Sequence, residues 1–522
     1  MVIATNPILK GFYPDPSICR VGKDYYIVNS SFGYFPGVPI FHSRDLAHWE
    51  QIGNILDREE QLKLDDEISR GIFAPTLRYH KGVYYMITTN VTYGGNFIVT
   101  AKSPQGPWSE PYFLGENAAG IDPSLFFDDD DKCYYVGTRP NSKGVQYDGD
   151  WEIWVQELDL EKMQLVGQSM AIWKGAVRNV IWPEGPHIYK KDGYYYLLHA
   201  EGGTGPEHSI SVARSKELFS WFEGCKRNPI FSHRNLGKDY PVIYAGHGDL
   251  VDDEDGNWYI VMLASRPCQK HCSMGRETFL ANVIWEDGWP VINPGVGKLT
   301  DKVELPFEEY RFEKEVSGLD HFEFYEDKLD DRFLGISKRN NRCYSLTERK
   351  GCLRLYTCQE TIGELGNPAY IGVRQKSYDF EVSTGIEFQP RNINETAGLV
   401  LFQNHENHLR MEIVQLADNS KERVLRVTAC IHKKIEILEE FPLNLSDLIE
   451  VKFRASSQKG QVWIVENGKP VLILDKIDLL PYSTEEAGGF VGCTIGMYAT
   501  SNGEAGNEMN YADFVWFHYD DK

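Results

Sequence analysis

Short runs in which apolar and polar residues alternate, broken by Gly, Asn, Asp or Pro, fill most of the chain, and this two-residue period predicts β-strands joined by tight turns. One pattern occurs five times in the first 300 residues: a turn-rich opening, a short apolar strand, a polar turn and an aromatic strand. The copies are DPSICRVGKDYYIV from Asp15, APTLRYHKGVYYMI from Ala74, DPSLFFDDDDKCYYV from Asp122, EGPHIYKKDGYYYLL from Glu184 and HGDLVDDEDGNWYIV from His247. Each predicts a β-hairpin. The openings lie between about 48 and 63 residues apart, room for a four-stranded sheet with its loops. Segments such as IFHSRDLAHWEQIG, SISVARSKELFSWFE and FLANVIWEDGWPVI can supply the outer strands. Five similar sheets in succession predict a five-bladed β-propeller, which leaves only short, protected edges. No long amphipathic helix is evident.

The repeat stops after Pro294, and DKVELPFEEYRFEKEV, from Asp301 to Val316, reads as a linker or a strand running between units. From about residue 320 come further alternating runs, CLRLYT, YIGVRQ, FEVSTGIEFQP, GLVLFQN, LRMEIVQL, VLRVTACI, IEVKFRA, QVWIVENG and FVWFHY. This many strands in about 200 residues predicts a β-sandwich. The expected class is therefore all-β, with a propeller over residues 1–300, a linker over 301–318 and a sandwich over 319–522.

Composition agrees with a folded, strand-rich chain: of 522 residues 42% are hydrophobic, 25% charged and 13% aromatic, with 47 Gly. Acidic residues outnumber basic ones 76 to 54, and the resulting charge of −22 argues against nucleic acid or an anionic membrane as partner. No stretch reaches the roughly 18 consecutive apolar residues of a spanning helix, and Met1 to Lys10 lacks the features of a signal peptide. A soluble, cytoplasmic protein is the expectation. The ten cysteines show no repeating framework and read as free thiols of a reducing compartment. Cys268, His271 and Cys272 could offer metal ligands, but the CxxxC spacing is loose and no second pair lies nearby, so structural zinc is disfavoured.

The repeat also carries a chemical argument. Equivalent positions in radially arranged blades project toward one axis, so Asp15, Asp122, Glu184 and His247, with Ala74 in the remaining place, converge on one funnel. Taken singly, Asp before Pro is a common turn starter and a lone His is more often a bonded core residue. Their coincidence at one phase of a fivefold repeat favours function. Carboxylates packed together repel, which raises the pKa of at least one, as a general acid near neutral pH requires. With aromatic residues to hold a sugar ring and no GxSxG, Walker or HExxH motif, this set suits hydrolysis of a glycosidic bond.

The residues that carry this pattern resemble glycoside hydrolase family 43, and within it the two-domain β-xylosidases and α-L-arabinofuranosidases. They are NPILKGFYPDPSICRVGKDYYIVNSSF (Asn6 to Phe32), AGIDPSLFFDDDDKCYYVG (Ala119 to Gly137), WPEGPHIYKKDGYYYLLHAEGGTG (Trp182 to Gly205), AGHGDLV (Ala245 to Val251), SRP (Ser265 to Pro267) and MGRET (Met274 to Thr278). The resemblance implies Asp15 as general base, Asp122 as the group that orients the acid and raises its pKa, and Glu184 as general acid. It implies inversion at the anomeric carbon, with Asp15 and Glu184 roughly 6.5 to 9.5 Å apart. Arg276 is implied to hold sugar hydroxyls, against the alternative of a salt bridge to Glu277 or Asp122. Phe32 is read as core or subsite wall. His247 is implied to lie under the site, where a calcium ion held largely through waters or a water cluster would sit; no other cofactor is required.

One departure is at the second blade, where many such β-xylosidases carry Trp-Ala-Pro-Asp and this chain has GIFAPTLRYH, placing Phe73 and Thr76 there. Phe73 keeps an aromatic face without an indole N–H. The C-terminal region resembles the sandwich of these enzymes, with GGFVGCTIGMYATSNG (Gly488 to Gly503) as the loop that closes one side of the pocket. The expected function is an exo-acting, inverting β-1,4-xylosidase releasing terminal xylose from short xylo-oligosaccharides. The alternatives are an α-L-arabinofuranosidase debranching arabinoxylan fragments and a non-catalytic carbohydrate-binding propeller. A retaining fructan enzyme is disfavoured, because Asp15 lacks the Asn-Asp-Pro-Asn surroundings. Relatives of this type are often homo-oligomers.

Overall fold

Five four-stranded antiparallel sheets follow one another between Ser17 and Ile292, each built from strands consecutive in the chain. The computed structural model describes residues 1–64, 67–237, 239–312, 320–337, 343–418, 422–444, 446–466, 468–504 and 509–522. The innermost strands are Ser17–Val21, Thr76–His80, Ile121–Phe127, Glu184–Lys191 and Ile243–Asp252, which we call the first strands of blades I to V. Each packs on the next, and that of blade V packs on that of blade I, so the ring closes into a propeller.

Blade strands are apolar on both faces because both faces are covered. The two-residue period then sends neighbours to opposite sides. Met86 packs toward blade I with Ile40 and Phe97, whereas Ile87 packs toward blade III with Tyr135 and Trp154. Leu197 joins Val155 and Phe222 between blades III and IV, and Leu198 joins Ile260 and Phe279 between IV and V. Each such buried side chain contributes roughly 1.5–3 kcal/mol. The seam between blades V and I holds Ile27, Val261 and Leu280. It is tied by the Asn6 side chain, which exchanges hydrogen bonds with the Leu280 backbone at 2.8 and 2.9 Å. The stretch read as linker begins there as a strand, Lys302–Leu305, paired with Val2–Thr5. Its end, and with it the expected boundary at 318, lies outside the described residues.

A buried polar cluster crosses the axis below the strand openings. Arg78 of blade II donates to both Asp249 oxygens of blade V at 2.9 and 3.1 Å, and to His187 Nδ1 of blade IV at 3.0 Å. Ser17 Oγ of blade I and Tyr189 Oη also donate to Asp249, at 2.8 and 2.5 Å. Four blades are thus joined through one satisfied carboxylate.

The C-terminal unit stacks an eight-stranded on a six-stranded antiparallel sheet around Phe380, Ile386, Leu401, Met411, Phe453, Met497 and Phe517. The nine alternating runs all fall on strands. Two edge strands, Lys434–Leu443 and Lys469–Asp478, are mostly exposed. The outer face of the six-stranded sheet meets the propeller through Phe12, Tyr34, Tyr370, Val400 and Phe402. Gly335–Ile336 adds a short strand to Tyr34–Phe35. Among the described residues the one α-helix is Thr484–Ala487, and none is long and apolar enough to cross a membrane.

The reading of all ten cysteines as free thiols is corrected at one place. Cys343 and Cys358 form a disulfide. The hairpin that pairs Tyr344 with Leu355 brings them together, and scattered spacing alone does not reveal such a hairpin. The other eight are free.

Candidate active site

Blades III, IV and V each break strand register at the opening of the first strand, between Ile121 and Ser124, between Glu184 and His187, and from Ile243 to Gly248. Bulges of this kind re-aim side chains, and here they turn Asp122, Glu184 and His247 onto the axis. Asp15, Asp122 and His247 have φ of 52, 50 and 43°. Non-glycine residues rarely adopt this left-handed backbone, and its strain clusters at functional sites. Gly185 is needed beside them, since a Cβ there would lie 2.8–3.0 Å from the His247 ring.

All five residues at the repeat opening line one pocket of about 260 Å³, together with Phe32, Phe73 and Arg276. That is small for a ligand cavity, typically ~300–1,000 Å³, and suits the end of a saccharide. Phe32 is both core and wall, 2% exposed and 5.2 Å from the Phe73 ring. Sequence reasoning did not single out Trp151, Trp182, Thr204 or Phe490, which also line it. Trp182 lay within the quoted WPEGP segment, and Phe490 within the quoted sandwich loop; Trp151 has no place in the repeat phase. Gly203 lets Trp182 lie close, because a Cβ there would stand 2.8 Å from the indole. Phe490 comes from the sandwich, stacks 6.0 Å from Phe32, and accepts a long hydrogen bond from Arg276 Nη2 at its carbonyl, 3.4 Å.

The three carboxyl groups differ in their partners. Asp15 receives Arg276 Nη1 at 2.9 Å on Oδ1 and Ser30 Oγ at 2.6 Å on Oδ2, with His247 Nδ1 at 3.8 Å. Arg276 therefore pairs with Asp15 rather than with Glu277 or Asp122; Glu277 is held by Arg266. Burial pushes the Asp15 carboxyl up, but Arg276, His247 and the Ser30 hydroxyl outweigh it and keep it below its ordinary value. Asp122 accepts one backbone N–H, from Gly185 at 3.2 Å. Burial, only partly opposed by His247 and reinforced by the Asp15 charge, pushes it up to about 6. Glu184 Oε1 is buried without a hydrogen-bond partner among the described residues. Burial first, then the charges of Asp122 and Asp15, raise Glu184 well above its usual range. One buried pocket thus holds a carboxylate kept charged and a carboxyl kept protonated, the pair that acid–base catalysis needs.

Metal chemistry finds less support in the donor set. Among the described residues no group of three or more His, Cys, Asp or Glu side chains could hold a metal ion. Calcium takes six to eight oxygens, and His247 with Asp15 does not build that cage. Cys268 and His271 face each other through backbone bonds of 2.9 and 3.1 Å across a tight turn.

Comparison with known proteins places this geometry among relatives. Residues 4–290 match the model of glycosyl hydrolases family 43, and residues 320–520 that of the beta xylosidase C-terminal concanavalin A-like domain. A xylosidase/arabinosidase of Butyrivibrio fibrisolvens is 65% identical over 99% of both chains. A non-reducing end alpha-L-arabinofuranosidase of Bacteroides ovatus is 36% identical over 98% of this chain and 94% of its own. The crystal structure of a xylan beta-1,4-xylosidase from Bacillus halodurans superposes with a TM-score of 0.92 at 34% identity, covering 99% of this chain and 100% of that one.

Proposed function

The chain belongs to glycosyl hydrolases family 43, and we propose that its pocket removes single sugars from the non-reducing ends of short xylo-oligosaccharides. It is a glycoside hydrolase of the xylosidase/arabinosidase type. The observation that carries the proposed roles is the contrast between Asp15, held anionic by Arg276 and Ser30, and Glu184, whose buried Oε1 has no protein partner.

In this reading the terminal sugar enters against Phe32, Phe73 and Phe490, with Trp151 and Trp182 also lining the pocket. Glu184, protonated near neutral pH, gives its proton to the glycosidic oxygen as the bond to the anomeric carbon breaks. Asp15 takes a proton from a water that attacks the same carbon from the opposite face. The products are a free sugar of inverted configuration and a shortened chain; Glu184 ends as the anion and Asp15 as the acid, and solvent restores both. The charge of Asp122 keeps the Glu184 proton in place. A pocket walled on one side by Phe490 favours release from chain ends over cutting within a polymer.

A second reading, release of terminal arabinofuranose, is favoured by Phe73, which narrows the aromatic face and lacks an indole donor. Initial rates on xylobiose and on an arabinose-substituted xylo-oligosaccharide, with the released sugars identified, test both. Xylose from xylobiose is the expected result; arabinose alone would replace the first reading with the second. The first-formed anomer, read by NMR, should be inverted, and retention would remove Asp15 from its role as base.

A further inference from the structure

Beside the pocket a second groove of about 360 Å³ opens on the rim of blades III and IV, its walls including Gln146, Tyr147, Lys174, Arg178 and Asn179. The two cavities share a partition. Asp150 lines the groove and the next residue, Trp151, the pocket; Asn179 lines the groove and Trp182 the pocket. The loops that carry them are tied into one ridge, since Trp182 N–H donates to Gly149 O at 2.9 Å and Tyr147 Oη to Val180 O at 3.0 Å.

The direction of the substrate follows from the acid. A general acid must reach the leaving oxygen, so the departing saccharide lies on the Glu184 side of the scissile bond. Glu184 stands two residues past Trp182, at the foot of this ridge. The Arg178 and Asn179 side chains are exposed and make no hydrogen bond or ion pair among the described residues. A planar guanidinium and a planar amide beside a tyrosine ring match adjacent sugar hydroxyls and a sugar face. Lys174 is drawn toward Asp150, 3.6 Å away, and offers charge without that planar geometry.

We infer that this groove binds the leaving-group sugars of a xylo-oligosaccharide beyond the one that touches the scissile bond, and so sets a preference for longer chains. The inference rests on the proposed glycosidase reading. Its test uses the double variant Arg178→Ala/Asn179→Ala, neither residue being part of the pocket. Loss of two hydrogen-bonding side chains should raise KM on xylotetraose about tenfold with kcat unchanged, while xylobiose kinetics stay within about twofold. Restoring planar donors with Arg178→Gln/Asn179→Gln should recover part of the loss. Equal effects on both substrates, or none on either, overturn the inference while leaving the glycosidase reading in place. Binding provides a readout independent of turnover. In a Glu184→Gln background xylotetraose should bind about tenfold more tightly than xylobiose, and the double variant should erase that difference. Equal affinities in the Glu184→Gln protein overturn the inference.

Discussion

Glu184 and Asp249 both place a carboxyl group on the propeller axis, in adjacent blades, the first half-buried with Oε1 enclosed and the second wholly buried, and their surroundings drive them to opposite states. Asp249 is surrounded by donors: a bidentate Arg78, Ser17, Tyr189 and the Ile18 N–H. Burial alone would raise it, but Arg78, His187 and these hydrogen bonds bring it down to about 2. Glu184 has neighbouring carboxylates in place of donors, and an oxygen without a partner. Burial therefore sets only the stakes; the partners decide whether a buried acid is a structural anion or a proton donor. The satisfied group lies below and holds four blades, and the unsatisfied one faces the pocket.

Breaking the upper side of the comparison should have the largest effect. Glu184→Gln keeps shape and removes the proton, so kcat on xylobiose should fall about a thousandfold or more with an unchanged melting curve. Breaking the lower side should do the reverse. Arg78→Met leaves Asp249 buried and unpaired, which costs about 3–5 kcal/mol in denaturant unfolding; pairing it with Asp249→Leu should recover part of that loss.

The acid limb of stability sharpens the contrast. Asp249 is depressed in the fold relative to its ordinary 3.8, so its contribution is complete above about pH 4 and fades as pH falls toward 2. Unfolding free energy should drop by about 2 kcal/mol over that window on its account, and Asp249→Asn should flatten the slope. Asp122→Asn removes a charge that raises Glu184. The alkaline limb of kcat/KM should then move to lower pH, with a lower kcat as orientation is lost. The smallest effect belongs to Phe73→Trp, which should change the ratio of xyloside to arabinofuranoside rates severalfold, read on matched nitrophenyl substrates.

The upper set was legible in the sequence because it repeats. Asp15, Asp122, Glu184 and His247 share one phase of a fivefold pattern, and in blades III, IV and V bulges keep that phase pointed at the axis. The cluster beneath was not legible, although Ser17, His187 and Asp249 lie two or three residues further along the same repeats. Its logic is a contact between Arg78 and a residue 171 positions away, and no spacing rule announces it. Trp151 and Thr204 were missed because loops and later strands, not the repeat openings, deliver them. Ser30, which fixes one oxygen of Asp15 at 2.6 Å, sits in the quoted VNSSF segment but looks like any turn residue. The Cys343–Cys358 bridge escaped for the same reason as the ion pair, since only the hairpin register makes it visible.

Phe490 gives the pocket a history as well as a wall. The carboxyl groups are all translated by residue 184, whereas Phe490 follows roughly three hundred residues later. At about 5–20 residues per second the ribosome needs roughly 15–60 s to cover that distance. During that interval the propeller can close its ring around its charged axis, yet one face of its pocket stands open. The last wall of the pocket is therefore made only with the C-terminal unit, where Phe490 precedes Thr494–Thr500 of the six-stranded sheet and the final strand, Tyr511–Asp521, lies inside the eight-stranded one.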